Sequence, residues 1–217
     1  GRRATEPGRR RRRLVCGAGC RAAAMDKQRG KVLVLGPKRC GKTRVANFLS
    51  GFEESPNFEV YKPTAGTRIL EFERIAKAGK TSLNMQVELW DCSGDRRYEN
   101  CWTAILRETN GVVMVYDPTI KEQEKDIEMW YKSFVAPLGL PDSQILILGH
   151  QARAVGGRAY QAPRLLSRFA FLNSSLDSDD QSSSLRESFN TLLNGVATTV
   201  LERSKAEMEA SLQAAGV

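Results

Sequence analysis

What the sequence lacks narrows its class first. Cysteine is scarce: five residues in 217, with no paired spacing. That excludes the disulfide framework of a small secreted scaffold. No run of 18 or more apolar residues occurs, so no segment reads as a membrane-spanning helix. There is no internal repeat, and no cysteine after Cys101. Charge of one sign is confined to one end. Of the net +8, residues 1–24 carry eight Arg against one Glu, and the other 193 residues hold 25 basic and 24 acidic side chains. The body is therefore nearly neutral, and a general nucleic-acid-binding surface on it is not expected.

The first 24 residues are mostly Gly, Arg and Ala and have almost no apolar periodicity. They bury too little to offset chain entropy and read as disordered. Arg9–Arg13 is compatible with polyanion binding or an import signal, and the Arg-rich, acid-poor composition with a mitochondrial presequence. Pro7 and the glycines oppose the amphipathic helix that a presequence needs. The reading favoured over these is sequence upstream of the natural start, since the first Met is Met25. The body is expected over residues 25–205, with 206–217 a fraying helix end.

From Met25 onward strand and helix patterns alternate. Strands are expected at 31–35, 67–76, 81–90, 111–116, 144–148 and 168–172, with 77–80 a hairpin turn. Helices are expected at 42–50, 95–107, 119–136 and from about 181. The last carries a stripe of Leu185, Phe189, Leu192, Leu193, Val196, Val200 and Leu201, and turns polar from Glu202. Strands separated by helices imply an α/β domain: a mostly parallel six-stranded sheet with one antiparallel edge strand and helices on both faces. In the third helix, Met129, Trp130 and Tyr131 are consecutive and cannot all face the core.

Between the first strand and first helix stands Gly36-Pro37-Lys38-Arg39-Cys40-Gly41-Lys42-Thr43, which fits G-x-x-x-x-G-K-[ST]. The glycines let backbone N–H groups wrap phosphates, Lys42 neutralises the β- and γ-phosphate oxygens, and the Thr43 hydroxyl coordinates Mg²⁺. Trp90-Asp91-Cys92-Ser93-Gly94 ends a strand. Asp91 suits Mg²⁺ held through water, and the Gly94 N–H suits the γ-phosphate. Thr64, in Tyr61-Lys62-Pro63-Thr64-Ala65-Gly66, is a candidate second hydroxyl for Mg²⁺; an ordinary Pro-Thr turn explains it equally well.

These residues resemble the Rab-like small GTPases of the Ras superfamily. ANFL after the phosphate loop, YKPTAGTRILEFE, VELWDCSGD, YENCW and EMWYKSFV resemble the divergent Rab-like GTPase family of intraflagellar transport. That resemblance implies a P-loop GTPase domain binding GTP, GDP after turnover, and Mg²⁺. It implies contacts from Gly36, Lys38, Arg39, Cys40, Gly41, Lys42, Thr43, Thr64, Asp91, Gly94 and His150, with Thr43, Thr64 and Asp91 at the metal. It also implies a subunit of the intraflagellar transport B particle, held by coiled-coil partners in the cytoplasm, the cilium or flagellum and the basal body region.

Departures from that pattern are informative. Asp95 stands where most such GTPases carry the Gln that orients the attacking water, so it is the candidate catalytic position and hydrolysis is expected to be slow. Lys38 replaces a usual Gly, where a long cation shields the γ-phosphate and crowds an incoming arginine finger. The guanine motif N-K-x-D reads His150-Gln151-Ala152-Arg153, and Arg153 only donates. Ser174-Ser175-Leu176 matches the later S-A-K loop loosely, with Asp177, Asp179 and Asp180 as substitute carboxylates. The missing C-terminal Cys argues against prenylation and hence a lipid anchor. Cys40 and Cys92 read as small reduced fillers. Tyr98 and Trp102, four apart on the expected helix, would share one partner-facing side; packing of that face on the core explains Trp102 equally well.

Overall fold

The structure, a computed structural model, describes residues 28–52, 62–151 and 159–214. Its centre is set by three strands that are apolar on both faces: β1 (Gln28–Leu35), β4 (Gly111–Tyr116) and β5 (Ile145–His150). Every residue of β4 and β5 is buried, as is the stretch Val32–Leu35 of β1. Strands of this kind belong to parallel sheets covered on both sides.

β2 (Thr67–Ala78) and β3 (Thr81–Cys92) instead alternate, and they pair antiparallel across a turn at Gly79. With β6 (Ala170–Ser174) the described residues form a six-stranded sheet in the order β2-β3-β1-β4-β5-β6. β1 is parallel to β3 and β4, and β5 to β4 and β6, so the one antiparallel pair lies at an edge.

Two apolar layers flank the sheet. On one side α1 (Lys42–Ser50) and the 36-residue α4 (Asp179–Ala214) cover Val32, Val34, Val87 and Leu89. On the other, α2 (Trp102–Leu106) and α3 (Lys121–Trp130) cover Leu33, Leu35, Met114 and Ile147. The switch of side between consecutive β1 residues is the period-2 alternation of a strand. α1 stops where the pattern calls for it, at Gly51 with φ 75°, whose N–H bonds back into the last turn.

Two helices differ from the sequence expectation. The stretch expected as one helix at 95–107 is a 3₁₀ segment, Arg96–Cys101, followed by the five-residue α2. The helix expected over 119–136 is α only to Trp130, then carries a π turn at Tyr131–Val135 and a 3₁₀ turn at Ala136–Leu138. The π turn adds a residue to the turn and brings Phe134 and Val135 into the core beneath Trp130. Trp130 is buried while Met129 and Tyr131 are half-exposed, so the three consecutive bulky side chains do split between faces. Beyond Glu202, where fraying is expected, α4 continues helical to Ala214 with its side chains exposed apart from half-buried Ser204.

Candidate functional site

The site forms at the C-terminal ends of the parallel strands. β1 delivers the chain into Gly36 at φ 144° and, through Arg39 at φ 61°, into Gly41 at φ 87°, from which α1 starts. A Cβ on Gly36 would collide with the Val115 carbonyl, and one on Gly41 with the His150 ring, so close packing and backbone angle both demand glycine. Cys40 is buried, with its Sγ 3.1 Å from the carbonyl oxygens of both Pro37 and Val115, between which its one S–H is shared. Burial pushes its pKa up, so it is a thiol filler that ties the loop to β4. Cys92 is likewise a buried thiol, its pKa raised by burial to about 12.

Lys42 is buried and turns its ammonium into the loop, donating to the Pro37 carbonyl at 2.6 Å. Thr43, Thr64 and Asp91 converge from three segments. The Thr43 hydroxyl lies 2.8 Å from Asp91 Oδ2 and 3.0 Å from Thr64 Oγ1, and Thr64 Oγ1 lies 3.5 Å from Asp91 Oδ2. Burial raises the Asp91 pKa; Thr43, Lys42, Arg68 and Thr64 pull the other way. Asp91 is wholly buried, and its Oδ1 has no partner although Oδ2 is engaged. An orphaned carboxylate oxygen beside two hydroxyls and an ammonium is an oxygen-donor set of the kind Mg²⁺ takes with phosphate. The residues therefore fit a magnesium–phosphate group.

Gly94 abuts the phosphate loop. A Cβ there would stand 2.6 Å from the Pro37 carbonyl carbon and 2.7 Å from the Lys38 nitrogen. Asp95 caps the 3₁₀ segment through Arg97 N–H and is gripped by two cations, Lys38 Nζ at 3.0 Å and Arg97 Nε at 2.6 Å. The Lys38 contact first, then the Arg97 ones, lower its pKa to about 2. Lys38 and Asp95, expected separately as a phosphate shield and as the residue at the catalytic position, are thus one ion pair.

His150 lies at the end of β5, 1% exposed, with Nδ1 3.1 Å from Ser174 Oγ at the end of β6 and Nε2 without a partner. Burial, reinforced by Arg44, lowers its pKa to about 4, so the ring is neutral near pH 7. It acts as a buried brace between β6 and the phosphate loop. Ser174 and Ser175 are buried beside it, and Asp177 reaches Arg44 of α1 at 3.4 Å. Arg153 and Tyr61 lie outside the described residues.

Tyr98 and Trp102, expected on one helix, fall on the 3₁₀ segment and on α2 respectively, and both are half-exposed. Trp102 packs on Phe134 at 3.8 Å and Trp130 at 5.3 Å between ring centroids. Two contributors escaped the sequence reading. Arg68 points its guanidinium at Asp91, 3.8 Å away. Gln123, the polar member of the buried row Gln123, Ile127 and Trp130, donates to the Lys38 carbonyl at 3.2 Å and accepts from Asp117 N–H at 2.8 Å. A polar residue at a core-facing helical position was the available signal for it.

The sheet order, the phosphate loop and the Thr43–Thr64–Asp91 set define a Ras-type small GTPase domain. Residues 31–152 match the family described as Ras of Complex, Roc, domain of DAPkinase. The intraflagellar transport protein 22 homolog of Danio rerio is 38% identical over 181 residues, 82% of this chain and 95% of that protein. The T. brucei IFT22/74/81 GTP-bound crystal structure contains a chain 32% identical to this one, with a TM-score of 0.64 over 81% of this chain and 98% of that one. The T. brucei IFT22 GDP-bound crystal structure is 30% identical, with a TM-score of 0.59 over 78% of this chain and 96% of that one. The chain belongs to the intraflagellar transport protein 22 family.

Proposed function

We propose that this chain is a GTP-binding subunit of the intraflagellar transport B particle, held by coiled-coil partners and working in cilium or flagellum assembly, with slow hydrolysis. Its places of action are the cytoplasm, the basal body region and the cilium itself. The observation that carries the nucleotide part is the convergence of Thr43, Thr64 and Asp91 under the phosphate loop, with Asp91 Oδ1 left unpartnered. The transport part rests on family membership and on a relative crystallised as an IFT22/74/81 assembly.

In this reading the backbone from Gly36 to Gly41 wraps the phosphates, with Lys38, Arg39 and Cys40 contributing loop contacts. Lys42 leaves the Pro37 carbonyl for the β/γ-phosphates, and Gly94 N–H meets the γ-phosphate. Thr43, Thr64 and Asp91 would hold Mg²⁺, Asp91 through water, and the ion would supply neutralisation of the phosphate charge. His150 sets the floor of the base site, and Asp177 supplies the carboxylate that Arg153 cannot. Hydrolysis is slow because ionised Asp95 has no N–H to donate to the γ-phosphate, and its carboxylate, which could accept from the attacking water, is already taken by Lys38 and Arg97.

The test is to denature the purified protein and identify the released nucleotide by chromatography, alongside a Lys42→Ala variant. GDP or GTP is expected from the wild type. Lys42→Ala is expected to weaken triphosphate binding on the order of 100-fold or more, because a charge-assisted contact in a buried site is lost. Unchanged affinity in a folded Lys42→Ala protein would count decisively against the site.

A further inference from the structure

Lys38 and Asp95 are remote in sequence and each departs from the Rab-like pattern, yet they meet across the site. Lys38 is fixed at both ends. Its carbonyl is held by the buried Gln123 of α3, and its ammonium lies 3.0 Å from Asp95 Oδ2. Asp95 in turn organises the segment after it. Its Oδ1 accepts from Arg97 N–H at 3.2 Å, its carbonyl from Tyr98 N–H at 3.2 Å, and its Oδ2 from Arg97 Nε. Just before it, Gly94 lies against the Pro37 and Lys38 backbone so closely that a methyl group would not fit.

In an ordinary nucleotide switch the γ-phosphate draws in the loop bearing the D-x-x-G glycine, and hydrolysis releases it. That scheme needs a loop with no other tether. We propose that Lys38 is a positioning residue which, through Asp95, holds residues 93–97 on the phosphate loop whichever nucleotide is bound. The proposal rests on the reading of 36–43 as a guanine-nucleotide loop and concerns which groups set the loop's position once that site is filled. One consequence follows for catalysis. Replacing Asp95 by Gln alone, which brings back the residue type that orients the attacking water, leaves an unpaired Lys38 across the position. Faster turnover then needs both Asp95→Gln and Lys38→Gly.

The tether is read by hydrogen exchange on the full chain, loaded with GDP or with a non-hydrolysable GTP analogue. The Arg97 and Tyr98 amides report the loop, and the amides of 41–43 report nucleotide binding separately. In the wild type, exchange at 97 and 98 is expected to agree between the two forms within about twofold. Lys38→Met is expected to speed it about two- to fivefold in the GDP form, the scale of one exposed ion pair, and Lys38→Arg to restore it. Lys38 Nζ sits on a side chain 57% exposed, so neither change threatens the fold. Protection at 97 and 98 that appears only with the triphosphate analogue, and is indifferent to Lys38→Met, overturns the proposal. If 41–43 ignore nucleotide, the guanine-nucleotide reading fails instead. The tether is then decided by comparing wild type and Lys38→Met without nucleotide, where equal exchange overturns it.

Discussion

His150 illustrates how much one side chain carries here. It closes the floor of the site against Gly41 and joins β5 to β6 through Ser174, and it does so as a neutral ring. Burial, with Arg44 adding to it and Asp117 and Asp177 opposing, lowers its pKa from 6.5 to about 4. The unfolded chain then binds more protons than the folded one between those values. Stability from this group is complete above pH 6.5 and lost as pH falls toward 4, by about 3 kcal/mol. Asp91, whose pKa burial raises, titrates with the opposite sign, so the comparison must be with a variant. Urea unfolding of wild type and His150→Asn between pH 7 and 4 is expected to show the steeper loss in wild type. Parallel curves would remove the argument. Asp177 is open to a sharper test. If its carboxylate accepts from guanine N1 and N2, Asp177→Asn is expected to lose GDP affinity at least about tenfold and to gain xanthine diphosphate by a similar factor. An unchanged ratio of the two affinities would assign Asp177 to its ion pair with Arg44 alone.

At the scale of elements, what was legible in the sequence is what local chemistry decides. The Lys42–Ser50 helix starts and stops at glycines that need positive φ, and the Thr67–Cys92 hairpin shows alternation on both sides of Gly79. β4 is a six-residue apolar run and was expected with its observed ends. The misread elements are those fixed by tertiary contacts. The 95–107 stretch becomes 3₁₀ because Asp95 caps it while bound to Lys38, and the third helix opens into a π turn where Phe134 stacks on Trp130 at 4.6 Å. Lys38 is remote in sequence from Asp95, and Trp102, which packs on both Trp130 and Phe134, is remote from them, so no window pattern contains the information. The same reasoning divides the site. Lys42, Thr43 and Asp91 announce themselves by motif, whereas Gln123 and the Lys38–Asp95 pair needed the fold. α4 supplies an element-scale prediction. Leu185 to Ala197 provide its buried residues, and from Glu202 its side chains are exposed apart from half-buried Ser204. Helix without packing adds little stability. A chain ending at Lys205 is therefore expected to melt within about 2 °C of the full chain. A larger drop would show that 206–214 carry a contact of their own.

At the scale of the molecule, the nucleotide site is where the two apolar layers and most of the sheet meet. β1, β3, β5 and β6 all end at it, α1 begins at it, and α3 reaches it through Gln123. A ligand held by these segments would draw on elements from both sides of the sheet. Binding should therefore stabilise the whole domain as one unit, by RT ln(1 + [L]/Kd), about 2.7 kcal/mol when free ligand is 100 times Kd. For a domain of this size that corresponds to a rise in Tm of about 5–10 °C. GTP with Mg²⁺ is expected to give this shift in one cooperative transition. GTP with a chelator is expected to give less, because Thr43, Thr64 and Asp91 then have no ion to hold against the phosphates. ATP at the same concentration is expected to give little. Thermal unfolding followed at once by tryptophan fluorescence and circular dichroism makes the comparison, since Trp102 and Trp130 lie in one layer and the α1–α4 helices in the other. Two separate transitions, or equal shifts with ATP and GTP, would show that the site neither unites the layers nor reads the base.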